Sequence, residues 1–346
     1  LRTDCKSTMR DILLDLLNSE TIRNRFADIV NSIKDKKSYY DALVLMLVSP
    51  IFGFSLDFNQ LAFIFDKYTF VNPLFYNNVA ICEFIEKSGT EIHVKSSILA
   101  ECILSKILEP SIIIDVLIKV FKKLDKYRNN EEYRGILRSM LSYQNVKRVL
   151  NTKHPDFSEN VTRFFDEVGT TNFCSNNQHY WLQYAISRLF VQDFERSFQY
   201  FENAYSFAKK KQEINNGINY TYQIDNHYAR YLLENEIENG SCSTCMTAFK
   251  KAHELLMNQQ NKEIVRFYTY RVARNYFKFY RTYFNSIKNE DKKLFLQACE
   301  EMYNRTLWYI DSNNPLFARK GEAKATRDEM ICIFKETGYE RSVQKR

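Results

Sequence analysis

The chain has 346 residues, 45% of them hydrophobic and 15% aromatic, with only eight Gly and five Pro; this is enough apolar material for two cores and too few turn formers for a hairpin-rich β fold. The net charge of +7 is spread evenly, 21 Lys+Arg against 18 Asp+Glu in residues 1–150 and 28 against 24 in residues 151–346, so neither half has the concentrated basic patch of a dedicated nucleic-acid binder. No apolar run approaches the roughly 18 residues of a membrane span, no secretory signal is seen, and eight scattered Cys fit a reducing, cytoplasmic setting.

Residues 1–37 read as a helical connector. The chain opens on Leu1 rather than Met, and is read as a piece of a longer protein that lacks an N-terminal portion. Residues 38–125 have the order of a winged-helix-like domain. Tyr39–Val48 is an apolar run stopped at Ser49-Pro50, Asp57–Asp66 is a short amphipathic helix, and Pro73–Lys87 is a third helix closed by Ser88-Gly89. Thr90–Lys95 (TEIHVK) then alternates as a strand does, and helical spacing resumes at Ser97. The third helix would be the DNA-recognition helix of such a fold. It carries Glu83 and Glu86 against Lys87 alone, which repels phosphate, so domain packing is its expected role.

Residues 126–170 are expected to form a helical linker, with a looser passage at His154-Pro155 and at TTNFCSNNQ from Thr170. Domain boundaries are placed near 125 and 170. From 171 to 346 the sequence repeats. Ala185 in WLQYAISRLF, Ala229 in NHYARYLL and Ala273 in YRVARNYF stand 44 residues apart, and a second-helix Ala follows at 204, 252 and 298. Each unit reads as helix, turn, helix, with a small residue where the two cross. Trp181, Ala185, Phe194, Ser197, Phe201 and Ala204 match the tetratricopeptide pattern. Later units are longer in the turn than that 34-residue repeat, so a TPR-like helical-hairpin solenoid is expected. The fold class is therefore all-α apart from one small wing.

The stretch RFYTYRVARNYFKFYRTYF, residues 266–284, opens the third hairpin. Tyr270, Ala273, Phe277, Tyr280 and Phe284 share one helical face, and Thr269, Val272, Tyr276, Phe279 and Tyr283 share an adjoining one. Two apolar faces place this helix between neighbours on both sides. Arg271, Arg274, Lys278 and Arg281 form a third stripe, segregated from the aromatics, and are the candidate contacts for a protein partner with an acidic surface. Nucleic acid is the disfavoured partner, because the aromatics are not interleaved with the cations in space.

Constellations for chemistry are sparse. Cys242-Ser-Thr-Cys245 has only His253 near it in sequence, where zinc needs four ligands, and reads as a turn and helix start with Cys245 packed inward. His227, between Asp225 and Arg230, reads as a polar cluster that fixes one hairpin to the next, and His93 as a strand residue. There is no Gly-x-x-x-x-Gly-Lys-Ser/Thr loop and no nucleophile elbow. No catalytic residue and no metal site are assigned, and enzyme activity within these residues is not expected.

The blocks EIHVKSSILAECIL, YRGILRSMLSYQNVKRVL, NNQHYWLQYAISRLFVQDFERSFQYFENAYSFAKK and YQIDNHYARYLL, in this order, resemble the C-terminal half of bacterial STAND NTPases, including the Avs-type and sirtuin-linked antiviral defence proteins. The resemblance spans most of residues 38–285 and is strongest at 179–234. It implies a parent protein with an N-terminal effector, a central ATPase that binds ATP, and a C-terminal helical-repeat sensor for a protein trigger. This chain would then supply the winged-helix and sensor parts, and would itself hold no cofactor. Relatives carry basic and histidine residues at the wing near the nucleotide, where this chain reads His93-Val-Lys95-Ser-Ser97. Lys95 is accordingly the sole candidate contact to the nucleotide domain. A stand-alone TPR-like scaffold and a winged-helix nucleic-acid-binding regulator are the alternative readings.

Overall fold

A computed structural model describes residues 19–65, 73–89, 91–214, 221–260, 267–312 and 319–341. Of the stretches singled out above, residues 1–18 of the connector, Asp66, Thr90 and Arg266 lie outside these. Helices carry most of the described chain, which divides into two compact units, residues 1–184 and 185–346.

The first unit begins with α1 (Glu20–Asn31) and α2 (Lys37–Phe52). Most of α2 is buried, from Tyr40 through Val48 and again at Ile51 and Phe52, as its unbroken apolar run requires. It also continues past the expected stop at Pro50. A proline there removes the N–H that would bond the Met46 carbonyl four residues back. The Ser49 hydroxyl donates to that carbonyl instead, at 2.9 Å, so the last turn survives. The one carboxylate on its buried face, Asp41, is met by Lys119 Nζ at 2.7 Å.

Strand β1 (Leu56–Asp57) and α3 (Phe58–Ile64) follow, with Asp57 and Gln60 forming a reciprocal capping box at the helix start. The helix expected over Pro73–Lys87 is in fact three elements: α4 (Pro73–Tyr76), α5 (Val79–Phe84) and β2 (Ile85–Ser88). Asn78 accepts from the amides of Ala80 and Ile81 and so starts a new helix in the middle of the segment. Its last residues turn into a strand because they pair with β3 (Glu91–Val94), in the register Ile85↔Val94 to Ser88↔Glu91. Gly89, at φ +63°, makes the tight turn between the two. β1 adds on the far side of β3, giving the antiparallel order β1-β3-β2. A two-residue β1 has no periodicity to read, and it was not anticipated.

Beyond the sheet lie α6 (Ser97–Lys106) and α7 (Pro110–Asp125), then α8 (Glu131–Leu141), α9 (Tyr143–Val149), α10 (Phe157–Gly169) and the single turn α11 (Asn172–Ser175). Within the span 126–170, read from the sequence as a helical linker, lie the three helices α8, α9 and α10. α10 packs along α7, with Phe164 and Phe165 buried and Phe121 edge-on to Phe164 at 6.4 Å. Asp125, buried at the end of α7, accepts from the amides of Asn172 and Phe173 and caps α11. The division between the units falls inside α12 (Gln178–Phe190), beyond the looser sequence that suggested a boundary near 170.

The second unit continues with α13 (Phe194–Ile214), α14 (Tyr222–Asn239) and α15 (Cys245–Gln260). The aromatic stretch forms two helices, α16 (Phe267–Ala273) and α17 (Asn275–Tyr283), followed by α18 (Asn289–Asp311) and α19 (Lys320–Thr337). The expected single helix over 266–284 therefore breaks at Arg274. In the turn before the break, the Tyr270 carbonyl accepts from Thr326 Oγ1 of α19 at 2.7 Å, a bond that competes with its helical partner. The turn from α14 to α15 is set by Glu236, whose Oε1 accepts from Ser241 N and Thr244 Oγ1. Gly240 is required there, since a Cβ would sit 2.5 Å from the Glu236 carbonyl oxygen. Cys245 packs inward at the start of α15 while Cys242 is exposed, and both thiols are free.

Ala185, Ala204, Ala229, Ala252, Ala273 and Ala298 are all buried. Thr269 Oγ1 donates to Asn226 Oδ1, and further along Tyr283 Oη donates to the Glu236 carbonyl, so α14 and α16–α17 run parallel. The pairs Tyr270 with Thr326 and Arg274 with Glu329 show the same direction for α19.

Candidate protein-binding ledge

All four cations of the predicted stripe, Arg271, Arg274, Lys278 and Arg281, are exposed. The burial of Tyr270, Tyr276, Phe279 and Tyr283 beneath them accounts for this, since the apolar faces of α16 and α17 are used up in packing while Phe277, Tyr280 and Phe284 are partly covered. The four cations do not stand in equivalent surroundings. Arg274 Nε donates to Glu329 Oε1 at 2.9 Å, and Arg281 donates to Glu336 Oε1 at 2.7 Å while lying over the rings of Phe277 and Tyr280. Arg271 and Lys278 form no ion pair among the described residues.

The two carboxylates differ as well. Burial raises the Glu329 carboxyl above the usual range, against the pull of Arg274 and Lys278. Its Oε2 is enclosed and accepts no hydrogen bond. Glu336 is held below the usual range by the hydrogen bond from Cys332, with Tyr280 and Arg281 acting in the same sense against partial desolvation. The ledge thus sets four cations beside two carboxylates, Glu329 and Glu336.

Next to this row, His227 Nδ1 lies 3.1 Å from Tyr268 Oη, which ties α14 to α16 as the polar-cluster reading required. Arg230 is bonded to Glu234 at 2.8 Å. Asp225 accepts instead from Tyr205 and Thr221. A groove of about 390 Å³ opens between α15 and α18, lined by Met246, Phe249, His253, Met257, Leu294 and Glu301 among others. In its wall His253 Nδ1 lies 2.8 Å from Tyr276 Oη and Nε2 lies 3.2 Å from Glu301. Both ring nitrogens are thus engaged within the protein, which leaves the imidazole no lone pair or proton for a substrate.

In the first unit, Lys95 is exposed but its Nζ donates to the Cys82 carbonyl at 2.6 Å, which holds it against the end of α5. Glu83 of α5 pairs with Arg25. Among the described residues no group of three His, Cys, Asp or Glu side chains is placed to hold a metal ion, and no helix is long and apolar enough to cross a membrane.

Glu329 and Glu336 are absent from the stripe reading of 266–284, although a signal for them was available: they repeat on α19 the seven-residue interval of Arg274 and Arg281. The His253, Tyr276 and Glu301 cluster has no such signal, because its members come from three helices. No protein-family model matches the chain, and neither a curated protein nor a solved structure matches it.

Proposed function

We propose that this chain is the regulatory part of a STAND-type ATPase of antiviral defence, with residues 185–346 acting as a TPR-like sensor that recognises an acidic surface on a protein trigger. The observation that carries the recognition role is the parallel succession of α14, α16–α17 and α19 with an exposed cationic row along it. First helices stacked in one direction create a continuous surface, and repeat arrays bind on the surface that their repeats line in register. Buried alanines along these helices allow the close approach that stacking needs. The regulatory role is supported by the sequence blocks that resemble STAND proteins, and the first unit's succession of a helix, a short strand, further helices and a two-stranded hairpin is compatible with it.

In this reading ATP binds to a part of the parent protein other than this chain, and Lys95 is the wing residue nearest in kind to the basic contacts of relatives. Its bond to the Cys82 carbonyl would have to open for it to reach a phosphate. Protein is favoured over nucleic acid because the cations of the ledge are segregated from the aromatic faces beneath them and half are neutralised by carboxylates. The test is the native reading frame upstream of the Leu1 codon. An in-frame Gly-x-x-x-x-Gly-Lys-Ser/Thr segment between a strand and a helix supports the ATPase reading. A frame without one returns the chain to the stand-alone scaffold.

A further inference from the structure

The turn that joins α14 to α15 carries two thiols outside the ledge, Cys242 and Cys245. Cys242 is exposed, Cys245 is buried, and both are free. The backbone between them is a helical turn, in which the Ser241 carbonyl accepts from Thr244 N at 3.1 Å and from Cys245 N at 3.0 Å. Residues three apart in such a turn have Cα atoms about 5 Å apart, inside the roughly 4.4–6.8 Å that a disulfide spans. The Cys245 thiol already reaches back along the turn, donating toward the Cys242 carbonyl oxygen at 3.6 Å. Glu236 holds the turn by accepting from Ser241 N at 3.1 Å and Thr244 Oγ1 at 2.7 Å, so neither sulfur is needed to keep its shape. Burial raises the Cys245 thiol above its ordinary value, and a charge on Cys242 acts in the same sense, which keeps Cys245 protonated in the resting protein. Zinc is the competing use of such a pair, but among the described residues no third His, Cys, Asp or Glu side chain joins the two in a metal-holding group.

We propose that Cys242 and Cys245 are a thiol–disulfide exchange site that takes a small-molecule disulfide of the glutathione class and closes to an intramolecular disulfide. Exposure sets the order of events, because a thiol must be reached before it reacts. Cys242 gives its proton to solvent, and its sulfur attacks one sulfur of the small disulfide. A mixed disulfide forms, and one small thiolate leaves and takes up a proton. Cys245, shielded from solution, then gives up its proton and attacks Cys242 Sγ. The mixed-disulfide bond breaks, and the second small thiolate leaves and is protonated in turn. Two electrons and two protons thus pass from the pair to the small disulfide, which becomes two thiols. The closing step turns the Cys245 sulfur from the Cys242 carbonyl to the Cys242 sulfur. That movement is felt in the core, since Cys245 belongs to the same buried cluster as Phe249 and Tyr283. The inference goes beyond the recognition role and requires neither a protein trigger nor an ATPase.

The test is incubation of the full folded chain with oxidised glutathione, followed by an acid quench, alkylation of the remaining thiols and mass spectrometry. Trypsin releases residues 231–250 as one peptide that contains both cysteines and no other. Expected is the joint loss of alkylation at Cys242 and Cys245, in a peptide lighter by two hydrogens that retains no glutathione. Dithiothreitol should restore both thiols. In C245S glutathione should stay on Cys242, because nothing resolves the mixed disulfide, and in C242S Cys245 should stay a free thiol. C242S alters an exposed side chain and keeps the test valid if C245S fails to fold. Glutathione retained on Cys242 in the wild-type chain would overturn the proposal, since Cys245 would then not resolve it. So would a bond from Cys242 to Cys82 or to a second copy, or oxidation of Cys245 in C242S at the wild-type rate. Two thiols that stay free in the folded chain and close only in urea would overturn it as well, because the native turn would then forbid the bond. The reading-frame test is independent of all these outcomes.

Discussion

His253→Leu is expected to destabilise the second unit through a hydroxyl it does not itself carry. Tyr276 is fully buried, and burial raises its phenol well above the ordinary value, so it stays protonated and donates to His253 Nδ1 at 2.8 Å. The imidazole proton therefore resides on Nε2 and points to Glu301 at 3.2 Å. Leucine approximates the ring's bulk but offers no acceptor, and an orphaned buried hydroxyl costs about 1–3 kcal/mol. Tyr276→Phe removes the donor and leaves Nδ1 beside the groove, where water can reach it, for about 1 kcal/mol. With both partners replaced no polar atom is stranded, so the double variant should cost less than the sum of the two by at least about 1 kcal/mol. Urea unfolding of the four proteins at pH 7.5 measures this coupling. Costs that add within roughly 0.3–0.5 kcal/mol would refute the reasoning. The same pair sets a pH dependence. Burial lowers the His253 pKa below its ordinary 6.5, and Glu301 only partly offsets this. As pH falls below 6.5 the unfolded chain takes up the proton first, so stability declines through that window and is fully present above it. His253→Leu should remove this part of the acid sensitivity.

Three further outcomes follow from other parts of the chain. Ala229→Leu and Ala273→Leu should each lose about 1–3 kcal/mol through overpacking, and unchanged melting temperatures in both would show that these positions are not helix crossings. Ser49→Ala should cost about 1 kcal/mol by stranding the Met46 carbonyl opposite Pro50; a neutral result in urea unfolding would mean that Pro50 needs no compensation. His179 is pushed down to about 4, by burial and then by Arg138, so the first unit should lose on the order of 3 kcal/mol as pH drops from 6.5 toward 4. Acid titration of His179→Gln with an unaltered slope would contradict that assignment.

Periodicity made the helical class legible, and the alanines it singled out at 44-residue spacing are buried. It could not show where helices break. Pro73–Lys87 keeps helical spacing throughout, yet Asn78 restarts the helix and Ile85–Ser88 leaves it for β3, a choice made by cross-strand pairing. The stretch 266–284 is continuous in pattern, and its break at Arg274 coincides with a hydroxyl from Thr326, 56 residues beyond Tyr270, on the helix's own carbonyl. The cationic stripe was readable as exposed, since spacing fixes the face. Its division into paired and unpaired members was not, because that depends on Glu329 and Glu336 arriving from a later helix. The shared seven-residue interval hinted at these two ion pairs, whereas hydrogen bonds such as that between His253 and Tyr276 leave no periodic trace.

The most direct measurement is nucleotide binding by the protein expressed from its complete native reading frame, followed with a fluorescent ATP analogue. The regulatory reading predicts saturable binding that is abolished by replacing the P-loop lysine encoded upstream of this chain and unaffected by R271Q/K278Q. Absence of binding together with absence of an in-frame P-loop would contradict it.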